Sequence, residues 1–256
     1  TRVLQAGAVT VPMDSATLDL ARVAGDPSAA WHSENVAITP SDVTLERITL
    51  RARTLSGIVQ LSRELLEDAS GVDDEVIRIF GDVFAQKLDT AALYGTGTAP
   101  EPRGVRNTTG VTAISMGANG AVPTSYDPLI DAVGTLADNN HEATGIIHAP
   151  RTARTLAKLK DSTGQPLGIP PYVVDVPRYA TNQVPTNLTE GTSTTASDIF
   201  TADWRELLIG VRTSFQVQVL RERYADSLTV GLLAYLRVDV LAARPKAFVV
   251  TTGVLA

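Results

Sequence analysis

The chain contains no cysteine. Disulfides, thiolate zinc sites and cysteine nucleophiles are therefore excluded. No apolar run reaches the length of a membrane span, and no basic-then-apolar signal opens the chain. An excess of positive charge is also missing. Net charge is -6 and the pI is near 5.1. Such a surface does not attract nucleic acid electrostatically, which argues against a DNA-reading role.

Histidine is scarce. His32, His141 and His148 lie far apart and lack metal-ligand spacing, so they are assigned structural or surface roles. There is no nucleophile elbow and no dinucleotide fingerprint. Gly95-Thr96-Gly97 lacks the Lys-Ser/Thr ending of a phosphate loop and follows a helical pattern rather than a strand. Asp73, Asp74 and Glu75 are read as charges at a helix start rather than a cation site. Asn107-Thr108-Thr109 and Asn187-Leu188-Thr189 fit the glycosylation pattern by chance. No catalytic residue, cofactor or metal ligand is expected.

What is present is ordinary globular composition: 256 residues, 44% hydrophobic and 20% charged. That is enough apolar material for one large or two small domains. Residues 1–30 show no helical period and read as an extended arm that needs another surface to lie on. Thr44 to Arg53 alternates in the β manner, with Trp31 to Val36 as the expected partner strand across the turn at Ile38 to Asp42. Residues 31–60 then form a long hairpin, marginal alone and in want of support. Ser62 to Asp68 is helical. A second helix is expected from Val72 to Tyr94, with Ser70 and Asp73 at capping-box spacing and Gly95 as its stop. At about 1.5 Å per residue it would be roughly 35 Å long.

Beyond a loop at 95–104 and a weak β excursion at 105–125, Asp127-Pro128 opens another helix. Gly145 to His148 reads as a buried strand, Pro150 to Lys160 as a helix, and 187–197 as a polar surface loop. Strands are expected at 199–200, 207–211, 215–219, 230–240 and 248–252. Strand–helix alternation suggests a compact module at 126–213.

Several motifs stand in a telling order. They are Ala30-Trp31-His32-Ser33-Glu34, Ile38 to Asp42, and Ser62-Arg63-Glu64-Leu65-Leu66-Glu67-Asp68. Tyr94-Gly95-Thr96-Gly97-Thr98 leads to Pro102-Arg103-Gly104. Leu156, Lys160-Asp161, Gly164 and Pro166-Leu167 come next, then Arg221-Glu222, Arg237-Val238-Asp239 and Arg244-Pro245-Lys246-Ala247-Phe248. In this order the chain resembles the major capsid proteins of tailed bacteriophages with the Hong Kong 97 fold, although Thr39-Pro40 shifts one proline by a place.

The resemblance implies an α+β fold and a structural protein without enzymatic activity. Its parts would be an N-terminal arm (1–30), an extended β-hairpin loop (31–60), a peripheral domain (61–125 and 214–256) with the helix from Val72 as spine, and an axial domain (126–213). It implies hexamers and pentamers of the chain forming an icosahedral or prolate shell. Double-stranded DNA would lie inside without sequence-specific contact, with portal and decoration proteins as further partners and no membrane. The virion would be its location, after assembly in the bacterial host cytoplasm. A start at Thr1 is compatible with removal of an N-terminal scaffolding segment.

The founding member of that family joins its subunits through a lysine on the extended loop and an asparagine late in the chain. Here no lysine lies between Trp31 and Val59, and the last asparagine is Asn187. A shell without that link is expected. A bacterial nanocompartment shell of the same fold, enclosing cargo enzymes, is the alternative. A small hydrolase built on 126–213 is a more distant one.

Candidate inter-subunit residues are Trp31, Glu34, Arg47, Arg51 and Arg53. Trp31 either anchors a subunit contact or packs in a core. The three arginines, read as sharing one strand face, either stay solvated or meet acidic residues of an adjacent subunit.

Overall fold

The computed structural model describes residues 1–25, 31, 44–64, 71–220, 222–224 and 227–256. Two sheets organise them. The strands of the first are β1 (Val9–Pro12), β4 (Arg53–Ser62), β10 (Leu207–Leu220) and β11 (Thr229–Ala242), in the order β1-β10-β11-β4. β10 and β11 are a long antiparallel hairpin. β11 pairs antiparallel with β4 from Thr229↔Ser62 to Val238↔Arg53, and β1 runs parallel to β10.

The second sheet is built from β5 (Thr112–Ser115), β6 (Gly145–His148), β7 (Arg178–Ala180), β8 (Leu188–Glu190), β9 (Ser193–Ala202) and β12 (Phe248–Val254). Its order is β5-β12-β9-β6-β7, with β8 also on β9. β6 is buried along its whole length and β9 from Ala196 onward. Unbroken apolar runs of this kind mark strands covered on both faces. Because side chains alternate, Ile146 and Ile199 face one layer and Ile147 and Phe200 the other.

The first layer contains Leu129 and Leu136 of α3 (Asp127–Asp138), Leu156 of α4 (Pro150–Ala157) and Val173 of α5 (Pro171–Val174). The other holds Leu93 of α2 (Val72–Tyr94), Val3 and Ala6 of α1 (Arg2–Ala6), and Trp204. Trp204 lies edge-on to Phe248 at 5.9 Å, and its indole N–H donates to the Gly145 carbonyl at 2.9 Å. Each such large apolar side chain, fully buried, contributes about 1.5–3 kcal/mol.

α2 also carries the other sheet. Phe80 and Phe84 pack under Leu232, Ala234 and Leu236 of β11. The helix spans the residues expected from its 3.6-residue spacing. It ends at Gly95, whose amide donates to the Ala91 carbonyl at 2.9 Å. A Cβ there would stand 2.2 Å from the Pro102 carbonyl oxygen, so only glycine fits.

Other expectations need correction. Residues 1–12 are no detached arm: α1 buries Val3 and Ala6 in the core, and β1 extends a sheet of the same molecule. A three-residue apolar spacing in so short a segment carries too little signal to be read as helix. Among the described residues the partner of β3 (Thr44–Arg51) is β2 (Thr17–Gly25), from Thr17↔Arg51 to Gly25↔Thr44, while the expected partner, Trp31 to Val36, lies outside them beyond Trp31. The ribbon therefore starts at Thr17 and ends at Arg51, while Arg53 to Ser62 belongs to the body sheet. Residues 187–197, expected as loop, supply β8 and the start of β9, since Thr is β-branched and at home in strands.

No boundary falls at 213, because β10 runs through it. β5 and β12 lie in the sheet of β6 and β9 rather than with α2. Asp127 is the first residue of α3, and Tyr126 occupies the cap position. Ser70 and the turn at Ile38 to Asp42 lie outside the described residues, and only the first two helical residues of Ser62 to Asp68 lie within them.

Candidate assembly surface

The ribbon springs from the body at two legs, and each is pinned by a charged side chain. On the first leg, Arg212 of β10 donates through one guanidinium nitrogen to the carbonyls of Met13 and Asp14. Met13 is buried, and its amide donates to the Val211 carbonyl at 2.9 Å. On the second leg, Asp239 of β11 accepts from the Arg51 amide at 2.6 Å. Its other oxygen stands 3.9 Å from the Arg53 guanidinium.

Asp239 is 7% exposed. Burial pushes its carboxyl above the ordinary range, opposed by the backbone amides of Arg51 and Val240 and by the charge of Arg53. Between the legs, Leu50 is fully buried over Gly210, where a Cβ would meet Met13 Sδ at 2.7 Å. Farther out, Arg22 of β2 pairs with Glu46 of β3 at 2.6 Å and donates to the Ala243 carbonyl at 3.3 Å. The described part of the ribbon thus rests on its own body at its base. Leu45 near its far end is 64% exposed.

The expected contact residues separate. Trp31 is fully exposed. Glu34 lies outside the described residues. Arg47 lies 3.7 Å from Asp19 across the ribbon and is mostly exposed. The Arg51 side chain is exposed, and it is its amide that is held. Arg53 does not share their strand, because Ala52 breaks the run, and its nearest acid is Asp239 of the same chain. Sequence reading quoted Asp239 within a motif but gave it no role, and missed Arg212 and Arg22. Their partners are some 190 to 220 residues away in the chain, beyond any local signal.

A second buried acid ties the layers together. Asp198 is 1% exposed and accepts from Arg106 Nε at 2.6 Å and from the Tyr94 hydroxyl at 3.1 Å. Burial raises the Asp198 carboxyl against the pull of Arg106, and burial beside Asp198 raises the Tyr94 phenol. These three groups bridge α2, the turn at 105–107 and β9 as a structural brace. His148 is buried, and that burial lowers its pKa. His141 lies 3.8 Å from Asp203. Among the described residues no group of three or more His, Asp or Glu is arranged to hold a metal ion, and no described helix is long and apolar enough to cross a membrane.

Among the described residues one flank of the body is left open. α2 projects beside β4, and together they line an apolar groove of about 400 Å³. Ile79 and Val83 of α2 are each more than 40% exposed, and Val59 of β4 is 36% exposed. Among the described residues no strand pairs with the outer edge of β4.

A pinned β-ribbon, a long spine helix beneath a hairpin sheet and a second, two-face-covered sheet are the architecture of Hong Kong 97-type phage capsid proteins. The solved capsid of a native GTA particle superposes with a TM-score of 0.79 at 19% identity, over 99% of this chain and 90% of that one. The Mycobacterium phage Adephagia structure gives 0.75 at 20% identity, over 98% and 89%. The chain belongs to the phage capsid family, whose pattern matches residues 1–253. The major capsid protein of Klebsiella oxytoca phage phiKO2 is 26% identical over 276 aligned positions, which cover all of this chain and 64% of that protein. That of Enterobacteria phage HK97 is 26% identical over 144, covering 56% and 35%. The chain thus spans less than two thirds of the length of these relatives.

Proposed function

We propose that this chain is a major capsid protein, whose copies assemble as hexamers and pentamers into the icosahedral or prolate shell of a tailed phage. Family membership over nearly the whole chain carries the reading. The physical support is a body whose described residues leave one apolar flank uncovered and a ribbon on which Leu45 is exposed. The part built on the six-stranded sheet would form the axial domain. α2 and the four-stranded sheet would form the peripheral one.

The shell encloses double-stranded DNA without reading its sequence, in keeping with the net charge of -6. Portal and decoration proteins complete the particle, which locates the chain in the virion after assembly in the host cytoplasm. The role is structural, not catalytic. The contacts are non-covalent, since the lysine and asparagine of the covalent link are both missing. The curated relatives carry phage names, which favours DNA over enzyme cargo and sets the nanocompartment reading aside.

Electron microscopy of the purified chain under assembly conditions tests the proposal. Closed particles of uniform diameter are expected, and dispersed monomers would refute it. Denatured particles should run as single chains, whereas covalent ladders would overturn the non-covalent part.

A further inference from the structure

Away from the assembly surface, one dipeptide carries chemistry of its own. Asn119-Gly120 is the only Asn-Gly pair in the chain. A carboxamide just ahead of glycine is open to attack by the next backbone nitrogen, because glycine has no Cβ to hinder the approach. Asn119 is exposed, so water reaches it.

The surroundings hold both reacting groups still. The Gly120 amide, the nucleophile, donates to the Gly117 carbonyl at 3.1 Å. The Asn119 carboxamide is the electrophile, and its Oδ1 accepts from the Thr192 amide at 3.0 Å. Gly120 has φ +71°, and a Cβ there would lie 2.5 Å from the Gly253 carbonyl oxygen. That oxygen also accepts from the Ala121 amide at 2.9 Å. Gly191, at φ +57°, is packed so tightly that a Cβ would collide with the Ala118 carbonyl oxygen and Asn119 Oδ1. The turn after β5, the β8–β9 turn and β12 therefore interlock around Asn119. Ring closure needs the Gly120 peptide to rotate, and the interlock opposes that rotation.

We propose that Asn119-Gly120 is a self-modification site, held silent by the closed fold and released when the interlock opens locally. In the open state the Gly120 nitrogen loses its proton and bonds to Asn119 Cγ. The Cγ–Nδ2 bond breaks, and Nδ2 leaves as ammonia, taking up a proton in place of the one released. Water then opens the five-membered imide, at Cγ to give aspartate or at the backbone carbonyl to give isoaspartate. Isoaspartate adds a carbon to the main chain, so Gly120 no longer fits against Gly253. Modified chains thus keep a record of having opened.

The dissociated chain, aged at mildly alkaline pH with and without unfolding urea, tests the proposal. Tandem mass spectrometry of its peptides reads amide-to-acid conversion at Asn119, and methyl transfer by an isoaspartyl methyltransferase reads the second product. Conversion in the folded chain should be at least about tenfold slower than in the unfolded chain. Gly191→Ala wedges the interlock apart without touching the dipeptide. It should speed conversion of Asn119 in the folded chain and leave Asn139 unchanged.

Equal rates at Asn119 in folded and unfolded chains would overturn the gating. A folded Gly191→Ala chain that converts no faster than the native one would do the same. Absence of conversion in urea would overturn the site itself. The comparison in urea needs no variant, so it decides the matter even where Gly191→Ala does not fold.

Discussion

Single residues decide how the ribbon leaves the body, and Asp239 is the plainest case. Truncation to Ala would strand the Arg51 amide, at a cost of about 1–3 kcal/mol. Asn, which keeps one acceptor, should lose less. Urea unfolding of the dissociated chain would rank the two, and equal midpoints for Ala and wild type would contradict the pin.

Asp89, Asp198 and Asp239 share a further property, since burial raises all three carboxyls above their ordinary range. The folded chain then binds their protons more tightly than the unfolded chain does. Stability should fall as pH rises through the raised values and return as it drops towards the ordinary carboxylate range. The melting temperature of the dissociated chain should fall as pH rises from the ordinary carboxylate range, and Asp198→Asn should flatten that fall. Melting that falls on acidification towards that range would count against it. Asp161 and Glu75, which are exposed and shifted down, act only at lower pH.

At the level of elements, α2 is the most legible part of the chain. Its apolar spacing and the glycine at 95 are local signals, and they gave both ends. Gly95→Ala should cost about 1–3 kcal/mol, because the new methyl meets the backbone oxygens of Pro102 and Ala91. Calorimetry of that variant, with Gly134→Ala as an unhindered helix control, would measure it.

The ribbon was half legible. The alternation of Thr44 to Arg53 marked a strand, of which Thr44–Arg51 is β3, but its pairing with Thr17 to Gly25 is set by the two pinned legs, which no local pattern encodes. The thread from Leu188 to Ser197 misled through its polar composition, although β-branched threonines pair well. The candidate contact residues divided for the same reason. Arg47 and Arg51 remain on the ribbon, while the break at Ala52 moved Arg53 into the body. Arg51→Glu leaves the Asp239 pin intact, since that bond uses the amide. It should lower particle yield, and unchanged yield would remove Arg51 from the contact.

For the whole molecule, the division of labour differs from the one the bare sequence suggested. The N-terminal residues and the ribbon base pack on their own body, and among the described residues the open apolar surface lies on the α2–β4 flank. Weak contacts of this size act through number, since each copy in a closed shell repeats them with its neighbours. The most direct measurement is sedimentation velocity of the native chain across a concentration series, with negative-stain images of the fractions. The account predicts a cooperative passage from the 27.1 kDa subunit to capsomers and uniform closed shells. A single 27.1 kDa species persisting to the highest concentration under assembly conditions would contradict it.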